Sequence, residues 1–156
     1  MVGEASARFD VVVIGAGAAG MMCAATAGKR GRRVLLVDHY PKLGEKIRIS
    51  GGGRCNFTNL HAAPERFLSA NPHFCRSALA RYTQWDFIEL VRKHDIEYYE
   101  KETVNGLSGQ LFCRQSSKQI VALLLAECAA AGVDIRLDCE TAAVDRGEGF
   151  LLQTNQ

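Results

Sequence analysis

The chain has 156 residues, of which 47% are hydrophobic and 23% are charged. This composition is typical of a folded globular domain and excludes a disordered or fibrous chain. The 19 Lys and Arg residues nearly balance the 17 Asp and Glu residues, so charge alone indicates neither DNA nor an anionic membrane as a partner.

The N-terminus and the cysteines bear on the cellular compartment. The first residues, MVGEASARFD, contain acids and lack the apolar core of a secretory signal, so a cytoplasmic location is expected. The six cysteines form no C-x-x-C pair, and neither they nor the four histidines have the spacing of a metal site. Reduced thiols and no bound metal are therefore expected.

The N-terminal part of the chain predicts a strand, a helix and a second strand. Asp10–Ile14 is apolar without alternation and ends at a glycine, which is typical of a fully buried parallel strand. A helix is expected from about Ala18 to Arg30, with Gly31 ending it, and Arg33–Val37 repeats the strand pattern. The uncharged run in this unit approaches the length of a membrane span, but its β-branched start and internal glycines favour the strand–helix–strand unit.

The middle of the chain predicts a long loop followed by helices. Residues 39–59 contain several glycines and no sustained periodicity, so they are expected to form a functional loop. Pro64–Ala70 and His73–Tyr82 favour helices, and Thr83 with Asp86 three positions later is typical of a helix start.

An aromatic and aliphatic stripe follows that helix start. Trp85, Ile88 and Val91 recur at helical spacing. The stripe is predicted to pack in the core rather than to stack on bases.

The C-terminal half predicts further α/β structure. A strand is expected at Ile96–Tyr99 and a turn at Gly106–Gly109 that leads to Leu111 and Phe112. A helix is expected at Ser116–Ala131, with Gly132 as its stop, followed by a parallel strand at Val133–Leu137. An antiparallel hairpin is expected from the strands Thr141–Asp145 and Phe150–Thr154.

A G-x-G-x-x-G run lies between the first predicted strand and helix, namely Gly15, Ala16, Gly17, Ala18, Ala19 and Gly20. The motif is weak alone, and its position after a strand and before a helix makes it a dinucleotide-binding fingerprint. A side chain at Gly15 would obstruct the turn, one at Gly17 would keep the backbone from a pyrophosphate, and one at Gly20 would hold the helix off the strand. The helix N-terminus would then face the diphosphate.

Asp38 ends the second predicted strand, 18 residues after Gly20. Its carboxylate can accept hydrogen bonds from the ribose hydroxyls of an adenosine and would repel a 2′-phosphate, so NADP is disfavoured at this site. The fingerprint leaves NAD and FAD open.

A second glycine-rich stretch, G-E-K-I-R-I-S-G-G-G-R-C-N-F-T-N, runs from Gly44 to Asn59. Its three consecutive glycines offer bare backbone to a flat or anionic group, and Lys46, Arg48 and Arg54 offer charge for phosphate. With this stretch the sequence resembles the BaiN-like, or aminoacetone-oxidase-like, NAD(P)/FAD-dependent oxidoreductases. The resemblance spans essentially the whole chain and continues through Asn71–Cys75, Ala78–Phe87, Gly109–Cys113 and Gln119–Val121.

The resemblance implies a Rossmann-like FAD-binding domain, with a parallel sheet, helices on both faces and a β-hairpin. The turn from Gly15 to Gly20 and Asp38 would hold the ADP half of FAD, with His39 beside the ribose and the backbone near Ala143 and Val144 at the adenine. The resemblance assigns a further set to the pyrophosphate and isoalloxazine, namely Lys46, Ser50, Gly51, Gly52, Gly53, Arg54, Cys55, Asn56, Phe57, Thr58 and Asn59. Val104–Ser108 is a longer connection than the family pattern has.

The resemblance also implies the activity: an FAD-dependent oxidoreductase that takes electrons from NAD(P)H. Within the family the sequence is most similar to the proteobacterial branch linked to dihydrouridine formation in ribosomal RNA, which implies a uridine of 23S rRNA as substrate. A small-amine oxidase of the aminoacetone type, or a nucleotide-binding fragment without turnover, stays open. An NAD-dependent dehydrogenase is disfavoured, because such enzymes do not need the second glycine-rich stretch.

Cys55 and one basic cluster are candidates for further roles. A thiol in a cationic glycine loop is expected to have a lowered pKa, which makes Cys55 a candidate proton donor or redox partner, although a structural role is favoured. Lys29, Arg30, Arg32 and Arg33 offer a path for an RNA backbone, but cations also favour the C-terminal ends of helices.

The resemblance further implies that the chain is the N-terminal portion of a longer flavoprotein, without the inserted substrate domain and the C-terminal flavin-binding segment. In that case Val11–Ile14 is expected to lack one of its two neighbouring strands and to form an unpaired edge. Weak retention of flavin and a tendency to aggregate follow as expectations for the isolated chain.

Overall fold

The structure, a computed structural model, describes residues 7–102 and 108–156. These residues form two compact units, of which the first comprises the chain up to Lys46 together with Leu124–Gln156 and the second comprises Ile47–Leu123. The predicted turn at Gly106–Gly109 and the connection Val104–Ser108 lie largely outside the described residues.

The helices and strands alternate along the chain. In order they are β1 (Val11–Ile14), α1 (Ala18–Lys29), β2 (Val34–Val37), α2 (Glu45–Ile49), β3 (Asn56–Asn59), α3 (Arg76–Arg81), α4 (Gln84–Lys93), β4 (Tyr98–Glu100), β5 (Gln110–Cys113), α5 (Lys118–Ala130), β6 (Asp134–Arg136), β7 (Thr141–Arg146) and β8 (Phe150–Thr154). Short 3₁₀ turns occur at Ser50–Gly53 and Pro64–Arg66.

The first unit is built on a parallel sheet with the strand order β1-β2-β6. Val11 pairs with Val34 and Leu35 with Asp134, so β2 is the central strand, and all four of its residues are buried. The predicted strand, helix and strand are confirmed, and so is the third parallel strand. Helix α1 connects β1 to β2 and packs against both strands, as expected for the crossover between neighbouring parallel strands.

Both faces of β2 are buried. Leu35 and Val37 share one face and form a small core with Cys139, against which Phe9 and Leu152 pack. Their neighbours Val34 and Leu36 point to the opposite face and are also almost fully buried. The hairpin of β7 and β8 confirms the predicted antiparallel pair and contributes to this core through Leu152.

Helix α1 lies close to its neighbours because small residues face them. Ala24 and Ala25 are buried, and a Cβ at Gly28 would lie 2.5 Å from the carbonyl oxygen of Ala131. The thiol of Cys128 donates to the carbonyl of Met21 at 3.3 Å. Helices α1 and the end of α5 are therefore in close contact, which the alanine-rich sequence of α1 permits.

Strand β1 differs from the prediction in its burial. Val12 is 40% exposed and Ile14 is 57% exposed, so the strand is not fully buried. Within the described residues β1 pairs with β2 alone, which confirms the expected edge. The apolar pattern of the sequence indicates what a strand can bury, and it does not show how many neighbours the strand has.

The second unit is built on an antiparallel sheet with the order β3-β5-β4. Tyr99 pairs with Phe112 and Thr58 with Leu111, and Leu111, Phe112 and Cys113 of the central strand are buried. The interpretation of residues 39–59 as a loop without regular structure is wrong, because α2, a 3₁₀ turn and β3 lie within it. Short elements interrupted by glycines leave no periodicity for a sequence pattern to reveal.

The predicted helices of the second unit are only partly present. Pro64–Ala70 forms a single 3₁₀ turn over its first three residues, and His73–Tyr82 is α-helical only over Arg76–Arg81. By contrast, the predicted start of α4 is confirmed, since Thr83 and Asp86 form a reciprocal capping box.

The stripe of α4 is buried only in part. Ile88 and Val91 are buried as predicted, whereas Trp85 is 56% exposed, so its predicted packing in the core is wrong. Trp85 lies in the first turn of α4, and the buried residues come one and two turns later. Helix α5 is present but begins two residues later and ends one residue earlier than predicted, and Ile120, Leu124 and Cys128 are almost completely buried.

Candidate functional site

The glycine turn between β1 and α1 has the conformation that the motif predicts. Gly15 has φ +102° and donates its N–H to the carbonyl of Val37 at 2.7 Å. A Cβ at this position would meet no atom within 4 Å, so the backbone conformation, rather than a clash, requires glycine here. At Gly20 the reason is steric: a Cβ would lie 1.8 Å from the carbonyl oxygen of Gly15. The predicted close approach of helix and strand is present.

Gly17 borders open space. A Cβ built there would meet no protein atom within 4 Å. Gly17 is also the N-cap of α1, where it offers no side-chain acceptor, and the first turn of the helix contains no acid. The N–H groups of this 12-residue helix therefore keep their partial positive charge, which an anion in the open space would complement.

Asp38 closes the turn from the end of β2. Its Oδ2 accepts a hydrogen bond from the N–H of Ala16 at 2.6 Å, and its Oδ1 accepts from the N–H of Tyr40 at 2.9 Å. A carboxylate has about four acceptor positions, so two remain for hydroxyl donors. The side chain of Asp38 is 14% exposed, which leaves those positions within reach of a small molecule.

His39 lies beside this carboxylate. Its Nδ1 is 3.4 Å from Oδ1 of Asp38, and its ring contacts the ring of Tyr40 with centroids 4.6 Å apart. The imidazole is 67% exposed, so it is free to contact a ribose while it stays next to Asp38.

The second glycine-rich stretch adopts a left-handed backbone over three successive glycines. Gly51, Gly52 and Gly53 have φ of +57°, +64° and +82°. A Cβ at Gly51 would lie 2.7 Å from the ring of Phe112, whereas Gly52 and Gly53 have no atom within 4 Å of that position. Gly51 is therefore required for packing, and the other two glycines expose bare backbone.

The ends of this loop are held by hydrogen bonds. Ser50 donates its hydroxyl to the carbonyl of Ile47 at 2.8 Å, and the guanidinium of Arg54 donates to the carbonyl of Arg114 at 2.5 Å. Ser117 is buried and bonds both sides of the loop: its hydroxyl donates to the carbonyl of Arg48 at 2.8 Å and its N–H to the carbonyl of Gly53 at 2.7 Å. Arg54 was predicted as a phosphate ligand, and in this structure it bonds the backbone.

The polar residues of β3 also serve the fold. The side chain of Asn59 accepts from the N–H of His61 at 2.8 Å and donates to the carbonyl of Ser108 at 3.2 Å. With its amide nitrogen turned toward the sheet, Asn56 donates to the carbonyl of Thr58 at 3.0 Å. These amides fix the conformation of the strand and of its neighbours.

Cys55 does not have the predicted low pKa. It is a buried non-glycine residue with φ +53°, and burial raises the pKa of its thiol, with a hydrogen bond to Ser50 opposing the shift. Cys113 of β5 is also buried, and burial, together with the electrostatic interaction between the two thiols as they ionise, raises its pKa to about 11. Neutral, buried thiols are poor nucleophiles, so the favoured structural role of Cys55 stands.

The remaining predicted cofactor residues are exposed or half-buried. Lys46 is exposed in α2, and Ala143 and Val144 lie in β7, where Val144 is 53% exposed.

The basic cluster after α1 is partly engaged within the protein. Lys29 forms an ion pair with the buried Glu127, and the guanidinium of Arg33 lies 4.8 Å from the ring centroid of Phe9. Lys29 and Arg33 therefore have contacts within the protein, and Lys29 lies in the last turn of α1, where a cation is favourable.

Two residues that hold the second glycine-rich stretch in place were not identified from the sequence. Ser117 and Phe112 shape the loop from a distance of more than 50 positions, and no local pattern marks them as its partners. The only signals in the sequence are the G-Q-L-F-C motif, which contains Phe112, and the pair of serines before α5, which contains Ser117.

Among the residues that the structure describes, no helix is long and apolar enough to cross a membrane, and no group of three or more His, Cys, Asp or Glu side chains is placed to hold a metal.

The fold and the glycine turn define a Rossmann-like domain. Comparison with protein families agrees, since residues 9–156 match the HI0933-like protein Rossmann domain. The chain belongs to this family.

Curated relatives extend the comparison. The chain is 57% identical over 149 residues to a ribosomal RNA dihydrouridine synthase of Escherichia coli strain K12, and the match covers 95% of this chain and 36% of that protein. It is 50% identical over 149 residues to the protein of the same name from Haemophilus influenzae, with 92% and 36% covered. The chain thus spans about a third of the length of these relatives.

Solved structures share the fold. A halogenase, the PltM L111Y mutant in complex with FAD, superposes with a TM-score of 0.53 at 17% identity, and the match covers 96% of this chain and 32% of that one. At this level of identity the similarity concerns the fold alone.

Proposed function

We propose that this chain is the FAD-binding part of a flavoenzyme that reduces a uridine of ribosomal RNA to dihydrouridine with NAD(P)H as the electron donor. The observation that carries the proposal is the 57% identity to the ribosomal RNA dihydrouridine synthase of Escherichia coli over 95% of this chain. The match spans the glycine turn, Asp38 and the second glycine-rich stretch, which supports one cofactor for both proteins. The name of this relative supports ribosomal RNA as the substrate.

The first unit fits the ADP half of FAD. The open space at Gly17 accommodates a diphosphate at the N-terminus of α1, where a side chain would exclude it. The two acceptor positions left on Asp38 suit two ribose hydroxyls. His39 lies next to that carboxylate, and Ala143 and Val144 are proposed to contact the adenine.

The glycine-rich stretch of the second unit suits a flat, anionic group because its backbone is bare. Gly52 and Gly53 present backbone with no side chain over it. Arg54 places its positive charge next to them while its guanidinium bonds the carbonyl of Arg114, and Ser50 bonds the carbonyl of Ile47. We assign this stretch, together with Lys46 and the residues up to Asn59, to the pyrophosphate and isoalloxazine. When bound, FAD would supply hydride transfer between a nicotinamide and the uracil ring.

The first experiment tests the cofactor. The purified protein is incubated with FAD, FMN or NAD, freed of unbound ligand, and the retained ligand is identified by mass spectrometry. Retention of FAD in preference to the other two supports the assignment. Preference for NAD would overturn it.

The second experiment tests the reaction. Dihydrouridine in 23S rRNA is mapped in a bacterial strain that lacks the corresponding gene and in the same strain carrying it on a plasmid. Loss of one modified position that the plasmid restores supports the proposal, and an unchanged profile contradicts it. NADH and NADPH are compared in the bleaching of flavin absorbance to identify the donor.

A further inference from the structure

A surface outside the cofactor motifs combines exposed aromatic rings with unpaired positive charge. It spans residues 66–85 of the second unit and is called the arginine–aromatic segment. Its exposed apolar side chains are Phe67 (48%), Leu68 (98%), Phe74 (81%), Tyr82 (41%) and Trp85 (56%). Isolated exposed apolar residues are ordinary, whereas five within 20 positions form a candidate contact surface of this chain, which spans about a third of the length of its curated relatives.

The charge of this segment has one sign. It contains Arg66, Arg76 and Arg81, all exposed, and no Asp or Glu. Within the described part of the chain none of these three guanidinium groups has an ion-pair partner. The rest of the chain carries one more acid than base, so the positive net charge resides here.

The segment is held in a defined conformation. The carbonyl of Pro64 accepts from the N–H of Phe67 at 3.2 Å and from the thiol of Cys75 at 3.9 Å, so both ends of the turn are tied to Pro64. Between them, Asn71 accepts from the N–H groups of His73 at 3.1 Å and Phe74 at 3.1 Å. The rings are therefore presented by a folded turn.

Helix α4 holds the other end of the segment. The side chain of Gln84 donates to the carbonyl of Leu60 at 3.1 Å, and the ring of Phe87 contacts the ring of Phe57 in β3 at 5.9 Å. With Ile88 and Val91 buried, α4 is anchored on the sheet and its first turn presents Trp85 outward.

We propose that the arginine–aromatic segment binds single-stranded RNA, with bases stacked on its exposed rings and phosphates paired with its arginines. Exposed rings interleaved with arginines suit unpaired nucleotides, because every base offers a stacking face and every linkage a negative charge. The three exposed arginines favour a partner that carries phosphates over a purely apolar one, and the two acids that flank the segment are Glu65 and Asp86. The choice of RNA over DNA rests on the proposed function.

The test uses the protein without added flavin, so that its outcome does not depend on cofactor binding. The probe is a fluorescein-labelled 12-nucleotide oligouridylate, titrated by anisotropy at 50 and 200 mM KCl. Trp85 is the only tryptophan of the chain, so its fluorescence reports stacking directly in the unaltered protein. We expect saturable binding that weakens with salt and quenches Trp85.

Matched variants locate the site. Phe74→Ala is expected to weaken binding at least about fivefold, whereas Phe150→Ala, at a similarly exposed ring (79%) in β8, leaves it unchanged. Arg76→Ala is expected to reduce the steepness of the dependence of log affinity on log salt concentration by about 0.7. Arg32→Ala, in the basic cluster of the first unit, is expected to leave that dependence unchanged.

Three results would overturn the proposal. The first is the absence of Trp85 quenching at saturating probe, and the second is equal weakening by Phe74→Ala and Phe150→Ala. The third is self-association of the protein, seen by sedimentation, that Phe74→Ala abolishes and the probe does not displace, because the segment would then bind a second copy. RNA binding without FAD retention would instead contradict the cofactor assignment alone.

Discussion

The carboxylate of Asp38 and the N–H of Ala16 are joined by a 2.6 Å hydrogen bond across 22 positions of the chain. The bond fixes the end of β2 against the glycine turn that precedes α1. The acid that we assign to the ribose therefore also sets the shape of the turn assigned to the diphosphate.

Asp38→Asn tests this double role. The amide keeps one acceptor and loses the charge, so we expect FAD affinity to fall about tenfold or more and stability to fall by about 1–3 kcal/mol. Flavin fluorescence titration and urea unfolding measure the two effects.

Asp10 provides the matched control, because its carboxylate accepts the N–H of Arg33 at 2.8 Å in an exposed setting. Asp10→Asn should lower stability by at most about 1 kcal/mol and leave FAD affinity unchanged. Equal loss of FAD affinity in both variants would show that Asp38 acts only through stability.

Gly17→Ala and Gly20→Ala distinguish a glycine that leaves room for the ligand from a glycine that the packing of the protein requires. The Cβ at Gly17 meets nothing, so Gly17→Ala should change stability by no more than about 1 kcal/mol and still weaken FAD binding. The Cβ at Gly20 meets the carbonyl of Gly15 at 1.8 Å, so Gly20→Ala should destabilise by about 3 kcal/mol or more.

Thermal unfolding and FAD titration of the two variants give the comparison. Unchanged FAD affinity in a folded Gly17→Ala protein would mean that the open space does not hold the diphosphate.

The sequence predicts the first unit well because its signals are local. The strand that precedes Gly15, the helix that Gly31 ends, and the acid at Asp38 each follow from neighbouring residues. The second unit is predicted poorly, since the position of Gly51 depends on Phe112, which is distant in the chain. The exposure of Trp85 has the same cause: helical spacing places residues on one face but does not show how far the neighbouring sheet extends along it.

The second glycine-rich stretch allows a similar pair of variants. Gly51→Ala and Gly52→Ala both place a side chain at positive φ, which destabilises by about 1–2 kcal/mol. Gly51→Ala adds a contact of 2.7 Å with the ring of Phe112, so its free energy of unfolding should be lower than that of Gly52→Ala by about 1 kcal/mol.

Gly52→Ala distinguishes the assigned role of the loop, because its Cβ meets no protein atom. Weakened FAD retention in this variant, at a stability that keeps it folded, would support a cofactor next to Gly52. Retention equal to that of the unaltered protein would argue that the loop serves the fold alone.

Alkaline pH should destabilise the protein through Cys113. The pKa of its thiol is about 11 in the folded chain against an ordinary value of 9.0, because burial and the nearby Cys55 disfavour the thiolate. The folded state therefore holds its proton more tightly than the unfolded state does. The resulting stability is fully present below pH 9 and is lost as pH rises toward 11, by at most about 3 kcal/mol.

Urea unfolding between pH 8 and 11 measures this loss, and Cys113→Ala should flatten the dependence on pH relative to the unaltered protein. Cys23→Ser, at an exposed cysteine, is the control and should leave the dependence unchanged. A profile for Cys113→Ala that is parallel to that of the unaltered protein would assign the alkaline loss to other groups. If the profile flattens, the thiol at β5 is neutral and inert at physiological pH, as its burial requires.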